Sequence, residues 1–163
     1  MIIREALPGE AEAAGELRVA AYADRHLLDV NPPYARSLRG LGFDGHGTVL
    51  VAVDDDGTLM GTVMYEPWHP GSEVARSADE AEVRALAVAP LAQGRGAARA
   101  LMDAVIGQAE ARGVSRLLLS TLPAMTAAQR LYRSLGFARV PELDWDPVPG
   151  VTLMGFALRL SRG

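Results

Sequence analysis

The sequence predicts a single α/β domain in which helices interleave with a mixed sheet, an arrangement shared with the α+β class. The chain has 163 residues, the length of about one domain, and nothing in its composition marks an internal boundary. Apolar residues make up 49% and charged residues 22%, proportions typical of a chain that buries a core. Helical and strand patterns alternate along the chain, which favours this class over an all-helical or all-strand fold.

The first half of the chain alternates between apolar strand patterns and helical spacing. Short apolar runs predict strands, and apolar residues three or four positions apart predict a helix after Pro8. The run Asp54-Asp55-Asp56-Gly57 is typical of a solvated turn, although three acidic residues are also compatible with a cation site. The predicted elements are a strand at 2–4, helices at 9–27 and 34–39, and a hairpin of strands 49–53 and 59–65.

The second half contains the clearest helical pattern, over residues 96–112. Its apolar stripe includes Leu101 and Val105, and Gly113 is a natural C-terminal stop. The run Leu117-Leu118-Leu119 predicts a buried strand. The other predicted elements are a strand at 80–88, a strand at 116–120, a helix at 126–135, and strands at 137–140 and 151–158 around a proline-rich loop at 141–150.

The composition excludes several kinds of chemistry. The chain has no cysteine and no lysine, which excludes disulfides, thiolate metal sites, acyl-cysteine intermediates, Schiff bases and the lysine of a P-loop. Its histidines, His26, His46 and His69, do not have the spacing of metal ligands, so we expect no metal. No stretch resembles a signal peptide or approaches the roughly 18 apolar residues of a membrane span, so we expect a cytoplasmic protein with no membrane partner.

The charges are distributed unevenly along the chain. Residues 1–82 contain six arginines and fifteen acidic residues, whereas residues 83–140 contain eight arginines and two acidic residues. The basic stretch is compatible either with ordinary solvated charges or with a polyanionic ligand. We do not expect that polyanion to be nucleic acid, because the formal net charge of the chain is −4 and no nucleic-acid-binding motif is present.

A glycine-containing turn lies between the strand at 80–88 and the long helix. The segment Gln93-Gly94-Arg95-Gly96-Ala97-Ala98 allows main-chain N–H groups to converge at the positive end of a helix dipole, which favours phosphate binding. Arg95 and Arg99 add charged donors. The turn does not fit a P-loop, which needs a lysine, or a dinucleotide fingerprint, because Arg99 stands where the third glycine belongs.

These residues resemble the GCN5-related N-acetyltransferase (GNAT) superfamily. The turn matches the family's pyrophosphate-binding pattern Gln/Arg-x-x-Gly-x-Gly/Ala, and Leu86-Ala87-Val88-Ala89-Pro90 matches the strand that precedes it. The segment from Ala128 to Phe137, AQRLYRSLGF, fits a second family motif. The two motifs have the family's order and spacing, and the resemblance covers nearly the whole chain. One departure is Met125, where many members have an asparagine; we expect Thr126 to cap the helix instead.

The resemblance implies a GNAT-like acyl-CoA N-acyltransferase fold over a single domain, residues 1–163, with acetyl-CoA as cosubstrate. The strand at 80–88 would separate from the strand at 116–120 to form a cleft, pair with the pantetheine arm and polarise the thioester carbonyl. The implied coenzyme-binding residues are Leu86, Ala87, Val88, Gln93, Gly94, Arg95, Gly96, Ala97, Ala98 and Arg99.

The resemblance also implies the groups that move protons. Glu82 precedes Gln93 by the spacing of the general base in one branch of the family, with Glu80 on the same strand face, or a water relay from either, as alternatives. Tyr132 occupies the position of the usual general acid. Since the chain has no cysteine, direct attack by the amine in a ternary complex is favoured over an acyl-enzyme.

The resemblance is compatible with several kinds of acceptor. Small amines, amino acids and the amines of peptides or proteins all fit, and a homodimer is compatible with the family. The alternative function is a non-catalytic module that binds or senses coenzyme A. Aromatic and acidic residues in the loops suit a cationic amine; the candidate acceptor residues are Tyr34, Trp68, His69, Asp144 and Trp145.

Overall fold

A computed structural model describes residues 1–29 and 31–160, which form a mixed α/β protein. The chain divides into two compact units. The first contains Met1–Glu66 and Val83–Gly107, and the second contains Pro67–Glu82 and Gln108–Gly163.

The order of elements agrees with the predicted alternation. The strands are β1 (Ile2–Glu5), β2 (Thr48–Val53), β3 (Leu59–Pro67), β4 (Glu80–Val88), β5 (Arg116–Thr121), β6 (Ala138–Arg139), β7 (Trp145–Val148) and β8 (Val151–Arg159). The helices are α1 (Ala11–Asp24), α2 (Tyr34–Gly40), α3 (Ala97–Ala111) and α4 (Thr126–Ser134). Short 3₁₀ turns occupy Pro8–Glu10, Pro90–Ala92 and Pro141–Leu143.

In the first unit, β2 lies between β1 and β3. Both pairings are antiparallel, with Ile2 opposite Val53 and Thr48 opposite Tyr65. The β2–β3 hairpin confirms the predicted turn at 54–57, in which Gly57 has a φ of 86° and the Asp54 and Asp56 side chains accept hydrogen bonds from main-chain N–H groups. Two carboxylates of the acidic run therefore form hydrogen bonds within the turn itself.

Helix α1 packs against strand β4 in the first unit. Leu17 and Ala21 of the helix form one buried cluster with Ala87 of the strand. Helix α2 lies close to α1 at Gly15, where an added Cβ would be 2.5 Å from the Arg39 carbonyl oxygen. A side chain larger than hydrogen does not fit there, so Gly15 sets how closely the two helices approach.

In the second unit, β8 is the central strand. It pairs antiparallel with β5, β6 and β7. The sequence predicted a loop over 141–150, because Pro147 argues against a strand. This prediction was wrong for the part of that segment that forms β7. The β7–β8 register shifts between Trp145 and Val148, and that irregularity accommodates the proline. Within the described residues, no helix is long and apolar enough to cross a membrane.

Candidate functional site

The turn between β4 and α3 has the backbone conformation that the glycine pattern predicts. Gly94 and Gly96 have φ values of 80° and 84°, in the left-handed region that favours glycine. An added Cβ at either position would meet no atom within 4 Å. These glycines are therefore required for the backbone conformation rather than for internal packing, and their surface is open.

Two side chains of this turn are held by other parts of the first unit. Arg25, just after α1, donates from Nη2 to Gln93 Oε1 at 2.9 Å. Arg95 donates from Nη1 to Asp54 Oδ2 at 3.1 Å, an exposed ion pair that links the turn to the β2–β3 hairpin. The bond from Arg95 lowers the pKa of Asp54 below its usual value. Because exposed ion pairs contribute little free energy, Arg95 can exchange Asp54 for a phosphate oxygen at small cost.

The turn fits an anionic group such as a pyrophosphate. It leads into α3, a helix of 15 residues whose first turn contains no acidic residue. The first N–H groups of any helix lack a carbonyl partner within that helix and carry partial positive charge. An open surface and arginines at 95 and 99 add to this, so the donor set matches the chemistry of a diphosphate.

Strand β4 contains a strained residue just before the segment assigned to the pantetheine arm. Ala85 has a φ of 55°, which is uncommon for a residue with a Cβ. Leu86 and Val88 are partly exposed, whereas Ala87 is buried against α1. Ala87 thus holds its own part of the strand against α1. Backbone strain of the kind seen at Ala85 is concentrated at functional sites.

The two candidate bases, which both belong to the second unit, are in different environments. Glu82 is 2% exposed, and its Oε2 accepts hydrogen bonds from the N–H groups of Val74 and Ala75, each at 3.3 Å. Glu80 is bound to the Arg116 guanidinium and accepts a bond from the Arg76 N–H at 2.9 Å. The Glu80 carboxylate is held in an ion pair with Arg116, so the geometry favours Glu82 over Glu80 as the candidate base.

Tyr132, also in the second unit, is buried in an aromatic cluster. Its ring centroid lies 5.9 Å from that of Phe137 and 6.4 Å from that of Phe156, in tilted arrangements. Burial raises the pKa of the Tyr132 phenol above its ordinary value. The hydroxyl is therefore protonated at neutral pH, which is the state that a general acid needs.

The start of α4 differs from the prediction in one detail. Thr126 was expected to cap the helix, and this was wrong: the N-cap is Met125, which makes no side-chain capping hydrogen bond. Gln129 fixes the preceding segment instead, by donating from Nε2 to the carbonyl oxygens of Leu122 and Pro123 at 3.0 and 3.1 Å. Thr121 Oγ1 lies 3.4 Å from the Met125 sulfur.

Three of the five candidate acceptor residues make contacts that support the fold. Asp144 binds both terminal nitrogens of Arg139 at 2.6 Å and accepts the Gly155 N–H at 2.9 Å. Trp145 donates from Nε1 to Ser120 Oγ at 3.2 Å. His69 Nδ1 accepts the N–H of Gly71 within its own turn. Of the other two, Trp68 is 39% exposed, and Tyr34 packs 6.4 Å from Tyr22.

Sequence reasoning did not find the residues that support the site. Arg25 and Asp54 lie 68 and 41 positions from their partners in the turn, and no local pattern indicates those contacts. It also did not single out Arg18 or the Arg84–Glu66 pair, whose Nη1–Oε1 distance is 3.4 Å. Charged residues on amphipathic elements are usually solvated, so their burial becomes evident only in the fold.

Known proteins are similar to this chain in sequence and in fold. The pattern of the acetyltransferase (GNAT) family matches residues 16–137. An uncharacterised N-acetyltransferase from Schizosaccharomyces pombe is 32% identical over 132 residues, 80% of this chain and 76% of that protein. A mycothiol acetyltransferase from Cellulomonas flavigena is 34% identical over 155 residues, 90% of this chain, and the match spans 43% of that protein's length.

The fold also matches solved structures. A putative acetyltransferase from Salmonella typhimurium, solved with acetyl-CoA, has a TM-score of 0.68 at 22% identity, covering 100% of this chain and 95% of that one.

Proposed function

Because the chain belongs to the acetyltransferase (GNAT) family, we propose that it transfers an acetyl group from acetyl-CoA to an amine by direct attack in a ternary complex. The observation that carries this proposal is the turn at 93–96, whose left-handed glycines open onto free space before a helix. We propose that residues 1–163 act as one acetyltransferase domain.

Residues of the first unit bind the coenzyme in this proposal. The main-chain N–H groups of Gly94, Gly96, Ala97 and Ala98 hold the pyrophosphate, with Gln93, Arg95 and Arg99 beside them. The β4 backbone at Leu86, Ala87 and Val88 hydrogen-bonds the pantetheine amides and polarises the thioester carbonyl. Acetyl-CoA supplies the acetyl group as a thioester, and the chain supplies position and charge.

Residues of the second unit transfer the protons. Glu82 takes a proton from the attacking amine as the new C–N bond forms, and Tyr132 gives a proton to the sulfur as the C–S bond breaks. The ion pair of Glu80 with Arg116 supports Glu82 as the base. The Tyr132 hydroxyl is protonated at neutral pH, which is the state from which a general acid donates.

The acceptor is an amine, and the relatives differ in which one they use. One relative, 45% identical over 72 residues, is a ribosomal-protein alanine N-acetyltransferase from Haemophilus ducreyi, and another is named a mycothiol acetyltransferase. The match spans about half the length of each. Both protein amines and small-molecule amines are therefore within the proposed acceptor class.

The experiment is the release of coenzyme A from acetyl-CoA with a panel of amines, together with calorimetric titration of acetyl-CoA. We expect amine-dependent release above hydrolysis, and weaker binding by Gly96→Trp. Gly150→Trp, at a glycine with a φ of 82° and open surroundings, is the control for backbone strain. Binding of acetyl-CoA with no amine-dependent release of coenzyme A would instead identify a coenzyme-sensing module. Absence of acetyl-CoA binding would contradict both the acetyltransferase and the sensing module.

A further inference from the structure

Arg18 of α1 is a fully buried arginine, with 0% of its surface exposed. Its Nη1 donates to the carbonyl oxygens of Leu38 and Leu41, at the end of α2, at 2.9 and 2.6 Å. Its guanidinium carbon lies 5.8 Å from the centre of the Phe43 ring. These contacts fix the side chain and connect α1 to α2.

The other edge of the guanidinium has no hydrogen-bond partner among the described residues. Within residues 1–29 and 31–160, Nε and Nη2 of Arg18 are buried and make no hydrogen bond. Both acceptors of Nη1 are neutral carbonyls, so no carboxylate balances the charge through a described hydrogen bond. Burial lowers the pKa of Arg18 to about 10, so the group is still charged at neutral pH. A buried charge whose hydrogen-bond partners among the described residues are all neutral is costly, which points to an anion from outside that part of the chain.

The unpartnered edge has the geometry of a carboxylate site. The Nε–H and one Nη2–H bond of a guanidinium point in the same direction and match the two oxygens of a carboxylate. A neutral carboxamide has one acceptor oxygen and no charge, so it cannot offer each of the two donors its own oxygen. The unsatisfied atoms of Arg18 are the two that form this edge.

The position of Arg18 in the first unit relates it to β4. Its neighbour in the chain, Leu17, packs against Ala87, which lies between the strand residues assigned to the pantetheine arm. The charge of Arg84, from the same strand, acts on Arg18, as do the phenols of Tyr22 and Tyr34. Glu66 Oε1 lies 3.4 Å from Arg84 Nη1, so that oxygen is engaged with a second arginine.

We propose that Arg18 binds the carboxylate of the acceptor through Nε and Nη2, so that the substrate is an amine that also carries a carboxylate, such as an amino acid. This inference rests on the proposed function, since only an acetyltransferase has an acceptor. It narrows the acceptor class from amines in general to zwitterions. Arg18 would position the acceptor while taking no part in proton transfer.

The test compares L-amino acids with their carboxamides as acceptors, using wild type, Arg18→Lys and Arg39→Lys. Arg39 is an exposed arginine of α2 paired with Glu16, so Arg39→Lys is the matched control. In wild type we expect kcat/KM to be at least about tenfold higher for the best acid than for its amide. Arg18→Lys should bring that ratio to within about threefold of one, whereas Arg39→Lys should keep the wild-type ratio. Comparing the ratio between variants cancels the difference in amine basicity.

A purely structural role for Arg18 gives a different result, because loss of stability lowers both rates and leaves their ratio unchanged. That outcome would overturn the inference, as would a wild type that prefers the amides; in the second case the acetyltransferase proposal would stand. If Arg18→Lys does not fold, inhibition of wild type by propionate and propionamide decides. If propionate competes with the acceptor and propionamide does not, the result supports the carboxylate site. Equal inhibition by the two compounds, or inhibition by neither, contradicts it.

The inference also has a readout that does not depend on turnover. Calorimetric titration of the same amino acids into wild type loaded with coenzyme A should give binding for acids and not for amides, and Arg18→Lys should abolish it. If no amine supports release of coenzyme A, the acetyltransferase proposal fails, and this titration still reports on the carboxylate site. Absence of binding by the acids in wild type would overturn that site.

Discussion

The Arg116 guanidinium binds the Glu80 carboxylate through two nitrogens, with Nε 2.9 Å and Nη2 2.8 Å from Oε2. Glu82, two residues further along the same strand, instead accepts main-chain N–H groups at 3.3 Å. The two glutamates were alternatives for one role when only the sequence was considered. Their partners separate them into a residue that stabilises β4 against β5 within the second unit and a residue assigned to proton transfer.

The first prediction concerns this pair. Glu82→Gln should lower kcat by at least about 100-fold, since general-base catalysis contributes factors of this size. Glu80→Gln should lower the free energy of unfolding by about 1–3 kcal/mol through loss of a charged hydrogen bond, with kcat within about threefold of wild type. Coenzyme A release and urea unfolding of both variants check this. A large loss of kcat in Glu80→Gln, without a similar loss in Glu82→Gln, would show that Glu80 and not Glu82 is the base.

The second prediction concerns Tyr132. Removal of its hydroxyl in Tyr132→Phe should lower kcat by about 100-fold or more and leave the affinity for acetyl-CoA within about threefold. Tyr65→Phe, which removes another buried tyrosine hydroxyl, is the control. Because burial raises the pKa of Tyr132, the pH–rate profile should show no loss from tyrosine ionisation between about pH 7 and 9. Unchanged turnover in Tyr132→Phe would remove this residue from the acid role.

The third prediction compares two helical glycines. Gly15→Ala gains about 1 kcal/mol of helix propensity but places a Cβ 2.5 Å from the Arg39 carbonyl oxygen, a clash that costs about 1–3 kcal/mol. We expect a net loss of stability. Gly107→Ala in α3 meets no atom within 4 Å and should be stabilising by up to about 1 kcal/mol. Urea unfolding measures both, and a stabilised Gly15→Ala would contradict the close approach of α1 and α2.

The fourth prediction concerns acid stability. Arg4 donates two hydrogen bonds to Glu10, which lowers the pKa of Glu10 from 4.5 to about 2. A carboxyl whose pKa is lowered on folding stabilises the protein at pH values above its pKa in the unfolded state. This contribution is lost as the pH falls through its pKa in the folded state. Glu10→Gln should therefore lower the urea midpoint at pH 7, and its difference from wild type should shrink below about pH 4.5.

Glu12→Gln, at an exposed position of α1, is the control for the acid series. Its urea midpoint at pH 7 should lie closer to that of wild type than the midpoint of Glu10→Gln does. A difference between Glu10→Gln and wild type that persists undiminished at pH 2 would show that the Arg4–Glu10 pair is not the origin of the effect.

The sequence was sufficient wherever a periodic pattern coincided with clear stop signals. The stripe of α3 predicted a helix over 96–112, and the helix spans Ala97–Ala111. The sequence pattern did not predict β7, because Pro147 is typical of a loop. Only the irregular pairing of β7 with β8 allows this proline to lie within a strand. Helix α1 is shorter than the predicted 9–27, since the 3₁₀ turn at Pro8–Glu10 precedes it and Arg25 ends it.

The backbone conformation of the candidate site could be predicted from the sequence, whereas the side-chain contacts that hold the site could not. Gly94 and Gly96 were identified because few residues other than glycine adopt a positive φ readily. The contacts of Arg95 with Asp54 and of Gln93 with Arg25 join distant segments, so they depend on the fold. The burial of Arg18 was not predictable for the same reason, since an arginine is expected in solvent and its burial depends on where α2 lies.

The most direct test of the proposed coenzyme site is a crystal structure of the protein with acetyl-CoA. We predict the pyrophosphate oxygens within about 2.7–3.2 Å of the main-chain nitrogens of Gly94, Gly96, Ala97 and Ala98. Coenzyme bound elsewhere, with no phosphate at the start of α3, would contradict the proposed site.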